Sequence, residues 1–139
     1  MDEFMNIAIM EAKKSLLNDD IPVGALIICN GKIISQAHNK KELLNDATKH
    51  AEILAIETAC RKLNTWHLDE CILVTTMEPC MMCCGAIVQS RIKKVVYGVS
   101  NEKFGYSKLL SEKYKVNCVK YSNNSEILDM LKNFFKEKR

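Results

Sequence analysis

The sequence lacks the features that would place the protein in a membrane or outside the cell. It has no run of about 18 apolar residues, which is the length a helix needs to cross a bilayer. Its start, Met1-Asp2-Glu3-Phe4, does not lead into the basic segment and long apolar run of a secretory signal. It also has no internal repeat, low-complexity tract or linker. We therefore expect one domain over residues 1–139, located in the cytoplasm.

Cysteine, by contrast, is abundant, with 7 residues in a chain of 139. An odd number of cysteines without an export signal favours a reducing compartment, where thiols bind metals or pack in the core. Cys29, Cys60, Cys71 and Cys118 lie in apolar patterns, which predicts core positions. Trp66 is also expected in the core.

The net charge of +3 is unevenly distributed along the chain. Residues 1–90 carry 8 Lys and Arg against 12 Asp and Glu, a net charge of −4. Residues 91–139 carry 12 against 5, a net charge of +7. A basic C-terminal third suits the phosphate backbone of a nucleic acid. A solvated, lysine-rich surface explains the same charges, so charge alone leaves both interpretations open.

Apolar periodicity and turn residues predict an α/β fold in which helices cover both faces of a mixed sheet. The predicted helices cover residues 2–18, 50–62, 80–90, 106–113 and 127–135, with Ser125 as the N-cap of the last. The predicted strands cover residues 25–29, 32–35, 71–75, 95–99 and 116–121. Asn30-Gly31 predicts a hairpin between the first two strands, because both residues accept positive φ.

Two short motifs stand at the predicted starts of the second and third helices: His50-Ala51-Glu52 and Pro79-Cys80-Met81-Met82-Cys83. Zn²⁺ binds nitrogen and thiolate ligands tetrahedrally, and a catalytic site keeps one position open for water. Cys80 and Cys83 share one face of a helical turn, where unpaired amides and the helix dipole favour thiolates. We therefore predict that His50, Cys80 and Cys83 bind Zn²⁺.

Glu52 is the predicted catalytic residue of this site. It lies two positions after His50, but the chain is only entering the helix there, so both side chains can face one site. A carboxylate beside zinc-bound water takes its proton and passes it to the substrate ring and to the departing ammonia. The joint H-x-E and P-C-x-x-C pattern is the signature of zinc nucleobase deaminases, in which hydroxide on zinc attacks the amino-bearing carbon, C6 in adenine.

Alternatives remain open at this point. A structural zinc site would use a fourth protein ligand and has no need of Glu52, and a redox C-x-x-C pair needs no H-x-E. Cys84 shares a helical face with Cys80 and is the alternative to Cys83 as a ligand. A zinc-bearing RNA-binding module is the non-enzymatic alternative.

The sequence resembles the bacterial tRNA adenosine deaminases of the cytidine deaminase superfamily over roughly residues 4–100. The segments that carry the resemblance are Ile21-Pro22-Val23-Gly24-Ala25, Ala37-His38-Asn39, His50-Ala51-Glu52-Ile53-Leu54, Thr65-Trp66-His67-Leu68, Glu78-Pro79-Cys80-Met81-Met82-Cys83, Ser90-Arg91-Ile92 and Val95-Val96-Tyr97-Gly98. The resemblance implies a three-layer α/β/α fold of the cytidine deaminase type with a five-stranded mixed sheet. It also implies a homodimer that binds zinc and converts adenosine to inosine at the wobble position of a tRNA anticodon loop. Asn39 would bind the substrate, and Phe134-Phe135-Lys136-Glu137-Lys138-Arg139 would help to hold RNA.

The sequence departs from that family after Gly98. The segment at residues 100–110 is several residues shorter than is typical there, and Cys84 stands where alanine is usual. Because this segment is expected to shape the pocket, the departure favours an alternative function, the deamination of a free nucleobase or nucleoside of the guanine or cytosine type. The basic C-terminal third and the similarity around Trp66 and Arg91 favour tRNA.

Overall fold

The computed structural model describes residues 1–138, and these residues form a five-stranded mixed sheet. The strands are β1 (Gly24–Cys29), β2 (Lys32–His38), β3 (Cys71–Met77), β4 (Lys94–Val99) and β5 (Asn117–Lys120). Their order across the sheet is β2-β1-β3-β4-β5. Strand β1 runs antiparallel to both of its neighbours, whereas β3, β4 and β5 are parallel to one another. The sheet predicted from the sequence is therefore confirmed.

Residues 1–138 also form five α-helices, which pack on the two faces of the sheet. They are α1 (Asp2–Ser15), α2 (Ala51–Leu63), α3 (Met81–Gln89), α4 (Ser107–Lys113) and α5 (Ser125–Glu137). Helices α2, α3 and α4 share one buried cluster with Ala25 and Ile27 of β1. Helices α1 and α5 share another with Leu26 and Ile28. Because successive strand residues point to opposite faces, this alternation along β1 divides the core into two layers.

The hairpin between β1 and β2 forms where the sequence predicts it. Asn30 and Gly31 both adopt positive φ, of 53° and 76°. At the other end of β1, Gly24 lies against the backbone of α1, and a Cβ at this position would overlap the carbonyl of Ala8. A glycine here lets α1 pack directly on the sheet.

Several local predictions need correction. Trp66 is 55% exposed rather than in the core, because the turn after α2 places it outside the sheet layers. The N-cap of α5 is Asn124 rather than Ser125, and its side-chain amide donates to the carbonyl of Gly98. Helix α1 ends at Ser15, and a 3₁₀ turn continues it through Asn18.

The predicted core cysteines are divided between burial and partial exposure. Cys71 is buried, whereas Cys29, Cys60 and Cys118 are half-buried against the same core. None of the helices in residues 1–138 is both long enough and apolar enough to cross a membrane.

Candidate functional site

The sheet brings the two sequence motifs to one edge. Strands β2 and β3 both run antiparallel to β1, which lies between them, so their carboxyl ends point the same way. The chain leaving β2 leads to His50 and α2, and the chain leaving β3 leads to Cys80 and α3. The carboxyl edge of a sheet in an α/β fold is where ligands bind.

Both motifs begin at helix N-caps with extended backbone. His50 is the N-cap of α2, with φ −74° and ψ 152°, and Cys80 is the N-cap of α3, with φ −78° and ψ 178°. Neither side chain caps its own helix, so the imidazole and the thiol are available to a ligand. Cys83 lies in the first turn of α3 and is buried.

The three side chains meet with the geometry of a tetrahedral metal centre. Nδ1 of His50 lies 3.6 Å from Sγ of Cys80 and 3.7 Å from Sγ of Cys83. Nitrogen and sulfur ligands at the usual zinc bond lengths of about 2.0 and 2.3 Å would lie about 3.6 Å apart in a tetrahedron. Within residues 1–138, no other group of three His, Cys, Asp or Glu side chains converges in this way. The donor set and its spacing fit zinc, as in zinc deaminases.

Cys84 does not join this group. Its thiol points to the backbone and donates to the carbonyl of Pro79 at a distance of 3.6 Å. Burial raises the pKa of this thiol to about 12, which further disfavours the thiolate that a metal needs. Of the two alternatives, it is therefore Cys83, at the C-x-x-C spacing, and not Cys84 that lies with Cys80 beside His50.

Hydrogen bonds among His50, Cys80 and Cys83 shift the pKa values of all three side chains. The hydrogen bond from the Cys83 thiol, followed by that from His50, lowers the pKa of Cys80 to about 4. Burial opposes this shift. The hydrogen bond to Cys80 and burial raise the pKa of Cys83, and the bond to Cys80 also raises that of His50. The shared hydrogen bonds thus favour the thiolate form at Cys80, and because a metal binds thiolates and neutral imidazole, metal binding at this centre is expected to release protons.

Glu52 lies in the first turn of α2 and faces the same cavity as His50. The residue is only 4% exposed. Burial raises the pKa of its carboxyl to about 7, although its own backbone amide and His50 pull it down. A carboxyl that exchanges its proton near neutral pH is suited to proton transfer. The structure therefore places His50 and Glu52 together despite their unfavourable helical spacing.

The metal centre opens into a cavity of about 490 Å³. Asn39 lines it, and three backbone contacts hold this residue. Its amide nitrogen donates to Ile21 at 3.1 Å, its amide oxygen accepts from Lys41 at 3.1 Å, and its backbone N–H donates to Val23 at 3.0 Å. The second N–H of the side-chain amide is left over for a ligand. This placement is compatible with a substrate contact but does not by itself assign one.

Sequence reasoning predicted that the segment at residues 100–110 shapes the pocket, but it did not identify several individual residues of the cavity wall. The residues concerned are Lys41, Met77, Glu78, Asn101, Lys103, Phe104 and Tyr106. Met81 and Met82, which lie between the two cysteines of the C-x-x-C motif, also line the cavity. The sequence signal for Asn101, Lys103, Phe104 and Tyr106 was their place in the segment at residues 100–110, which the family resemblance connects with the pocket.

The C-terminal aromatic and basic residues lie on α5. Phe134 is buried against the core layers, whereas Phe135, Lys136 and Lys138 are exposed. Arg139 lies outside the described residues. The exposed members form a surface that RNA can reach.

Known proteins share this fold and are similar to this chain in sequence. The family model of the MafB19-like deaminases matches residues 1–139. The tRNA-specific adenosine deaminase of Aquifex aeolicus (strain VF5) is 44% identical, with the match covering 98% of this chain and 94% of the relative.

Two solved structures bear on the choice between RNA and a free base. One comes from a study of A-to-I editing by tRNA:A34 deaminases at the wobble position of transfer RNA. It superposes with a TM-score of 0.88 and 32% identity over 94% of this chain and 100% of that chain. The guanine deaminase of Bacillus subtilis superposes with a TM-score of 0.70 and 31% identity over 97% and 93%.

Proposed function

The chain belongs to the tRNA-specific adenosine deaminase family, and on that premise we propose how its residues perform the reaction. It is a hydrolytic zinc deaminase that converts adenosine 34, at the wobble position of tRNA, to inosine. The observation that carries this conclusion is the convergence of His50, Cys80 and Cys83 beside the buried carboxyl of Glu52.

His50, Cys80 and Cys83 hold the zinc ion. When bound, zinc supplies a Lewis acid that lowers the pKa of water from about 15.7 to about 7. The N-terminal turns of α2 and α3 orient the three ligands, and their unpaired amides stabilise thiolate charge. With three protein ligands, the site would fit a catalytic rather than a structural zinc ion, since a structural site uses four.

Glu52 carries the protons. Its carboxylate takes a proton from the attacking water and delivers it to N1 of the adenine ring. It then takes the second proton of that water and gives it to the amino group, and ammonia leaves as the C6–N bond breaks. The overall reaction adds one water to adenosine and yields inosine and ammonia. Because Glu52 is buried, bulk solvent does not compete for these protons.

Asn39 orients the base. Two hydrogen bonds to backbone groups fix its side chain at the cavity wall, and its free N–H is available to an acceptor on the adenosine. Lys41 and Lys103 also line the cavity and face a substrate whose backbone is anionic. An adenosine flipped out of the anticodon loop would enter between them.

The partner is the tRNA anticodon loop, and the basic third of the chain binds its backbone.

The protein acts as a homodimer in the cytoplasm, where tRNA is found. An apolar groove of about 210 Å³ between α3 and α4, lined by the exposed side chains of Leu109 and Tyr114, supports an interface there. Sedimentation of the purified chain tests the dimer.

Deamination of a free base is the second candidate function. The similarity to the guanine deaminase of Bacillus subtilis favours it, since the two chains share 31% identity over nearly their whole length. The higher identity to the Aquifex aeolicus enzyme and the higher TM-score to the tRNA:A34 deaminase structure favour tRNA.

The decisive experiment uses the zinc-loaded protein with an anticodon stem-loop that carries a wobble adenosine. We expect inosine to form, at a rate that falls steeply as salt increases, because phosphate contacts are screened. Glu52→Ala should abolish the reaction. Glu57→Ala is the matched control, since Glu57 lies on the same helix and pairs only with Lys49 at 3.5 Å. Ammonia released from free guanine or cytosine, without inosine in the stem-loop, would establish the second function instead.

A further inference from the structure

One wall of the cavity consists of the segment between β4 and α4. This segment supplies Asn101, Lys103, Phe104 and Tyr106 to the cavity, although most of its residues are exposed and none belongs to a helix or strand. We propose that Glu78 is the positioning residue that holds this wall in place for the substrate. The proposal rests on the proposed function, since the substrate it concerns is the flipped adenosine.

The carboxylate of Glu78 joins both ends of the segment. One oxygen accepts the backbone N–H of Asn101 at 3.0 Å. The other oxygen accepts the backbone N–H of Ser107 at 3.1 Å and also the Ser107 hydroxyl. A segment of this length without regular structure is entropically costly to order, and one side chain here closes it into a loop.

Glu78 is itself held by its position next to the metal centre. Its backbone N–H donates to Val99 at 2.8 Å, which places it beside the last residue of β4. The following residue, Pro79, accepts the N–H of Tyr106 at 3.0 Å, and Cys80 forms a β-bridge with Gly105. Backbone contacts therefore join this wall of the cavity directly to the zinc ligand Cys80.

Gly105 shows how closely the carboxylate is enclosed. A Cβ at Gly105 would overlap the carboxyl group of Glu78 and the carbonyl of Asn101. Only a residue without a side chain leaves room for Glu78 to reach both ends of the segment. The three hydrogen bonds need acceptor lone pairs on two oxygens, which a carboxylate has and a side-chain amide, with one oxygen, lacks.

The wall carries side chains that suit a nucleotide. Phe104 lines the cavity and its side chain is 63% exposed, so its ring is accessible to a ligand. An aromatic ring beside a lysine binds a base by stacking and a phosphate by charge. If Glu78 releases the segment, both groups lose their fixed distance from the zinc ligands.

Two substitutions distinguish a role of Glu78 in holding the segment from an effect of its negative charge alone. Glu78→Gln keeps the shape but presents an amide N–H₂ to one set of donors, so one end of the segment is released. Glu78→Asp keeps the charge but is one methylene shorter and cannot span both ends. If Glu78 acts only through its negative charge near the metal, Glu78→Asp should behave as wild type and Glu78→Gln should not. Glu102→Gln is the matched control in the same segment, because Glu102 is exposed and does not line the cavity.

The test measures amide hydrogen exchange over residues 100–107, zinc content, and kcat and KM with the anticodon stem-loop. We expect both Glu78 variants to raise exchange in this segment by about tenfold to a hundredfold, the range for losing a hydrogen bond to a charged group. Zinc content should stay at the wild-type level, and kcat/KM should fall mainly through KM. Ser107→Ala should produce a smaller change in the same direction and no further change when combined with Glu78→Gln.

The outcomes distinguish this proposal from the proposed function. Unchanged amide hydrogen exchange in the Glu78 variants, or wild-type behaviour of Glu78→Asp, would overturn the proposal that Glu78 holds the segment. Faster exchange with unaltered KM and kcat would also overturn it, because the wall would then not position the substrate. If the wild-type protein forms no inosine, the proposed function fails, and the exchange rates alone decide whether Glu78 holds the segment. If Glu78→Gln does not fold, Ser107→Ala gives the same readouts.

Discussion

The role of Glu52 leads to a quantitative prediction for Glu52→Gln. This substitution keeps the size and shape of a side chain that is 4% exposed, so neither a cavity nor an uncompensated charge results. Burial already penalises the charged form of Glu52, as its raised pKa of about 7 shows, so the neutral amide should not destabilise the fold. The variant therefore isolates proton transfer from stability.

The structure sets the magnitude of the loss. General acid–base catalysis contributes about 10²- to 10⁴-fold, or about 3–5 kcal/mol of barrier. The other carboxylate of the cavity, Glu78, is engaged by Asn101 and Ser107 and cannot take over. We therefore expect kcat to fall by about 10³- to 10⁴-fold, with little change in KM.

The assay is inosine formation in the stem-loop under single-turnover conditions, accompanied by zinc content and thermal unfolding of the variant. Retention of zinc and of the unfolding midpoint, with the expected fall in rate, would support the assignment. A loss of less than about tenfold with zinc retained would refute it, because a residue that carries all proton transfers cannot be replaced by an amide at so small a cost.

Other substitutions give further expectations. Cys83→Ala should abolish zinc binding, whereas Cys84→Ala should leave zinc content unchanged, since the Cys84 thiol contacts only backbone; equal zinc loss in both would contradict the assigned triad. Asn39→Ala should lower kcat/KM for the stem-loop by about tenfold or more without releasing zinc, and wild-type kinetics would exclude a substrate contact. Glu11→Gln should reduce the free energy of unfolding at neutral pH. Burial raises the pKa of Glu11, but hydrogen bonds from Lys14, His38 and Gln36 outweigh it and leave the pKa lowered. The stabilisation is therefore present above about pH 4.5 and is lost as the pH falls through the pKa of Glu11 in the folded protein. Urea unfolding of the wild type and the variant from about pH 3 to 7 should show that the difference between their free energies of unfolding becomes smaller in acid.

Local sequence signals were sufficient for most of the fold. Asn30-Gly31 predicted its hairpin because positive φ is a property of the residues themselves. The helices and strands were predicted because each buries one periodic apolar face or a continuous apolar run. The errors fall where tertiary contacts decide: Trp66 lies outside the layers, and Asn124 begins α5 with its amide bound to Gly98. That residues 1–139 form one domain stays a prediction.

The metal triad was predictable for a different reason. The H-x-E and C-x-x-C motifs are each local in sequence and supply ligand types that zinc prefers, so His50, Cys80 and Cys83 could be identified from the sequence. Glu52 was identified by its distance along the chain from His50, and its role as proton carrier stays a proposal. The sequence by itself thus determined the metal-binding motifs, but it left Cys84 open as an alternative to Cys83.

Only the tertiary structure decided what surrounds those atoms. The motifs meet because β2 and β3 both run antiparallel to β1; the hairpin turn encodes the pairing of β1 with β2, but no local pattern encodes the pairing of β1 with β3. Cys84 differs from Cys83 by one helical position, and only its contact with Pro79 shows that it faces away. In the cavity wall, the backbone N–H of Asn101 donates to the carboxylate of Glu78, more than 20 residues earlier in the chain. Ligand chemistry is local to the residues that provide it, whereas the shape of a cavity is set by contacts between segments far apart in sequence.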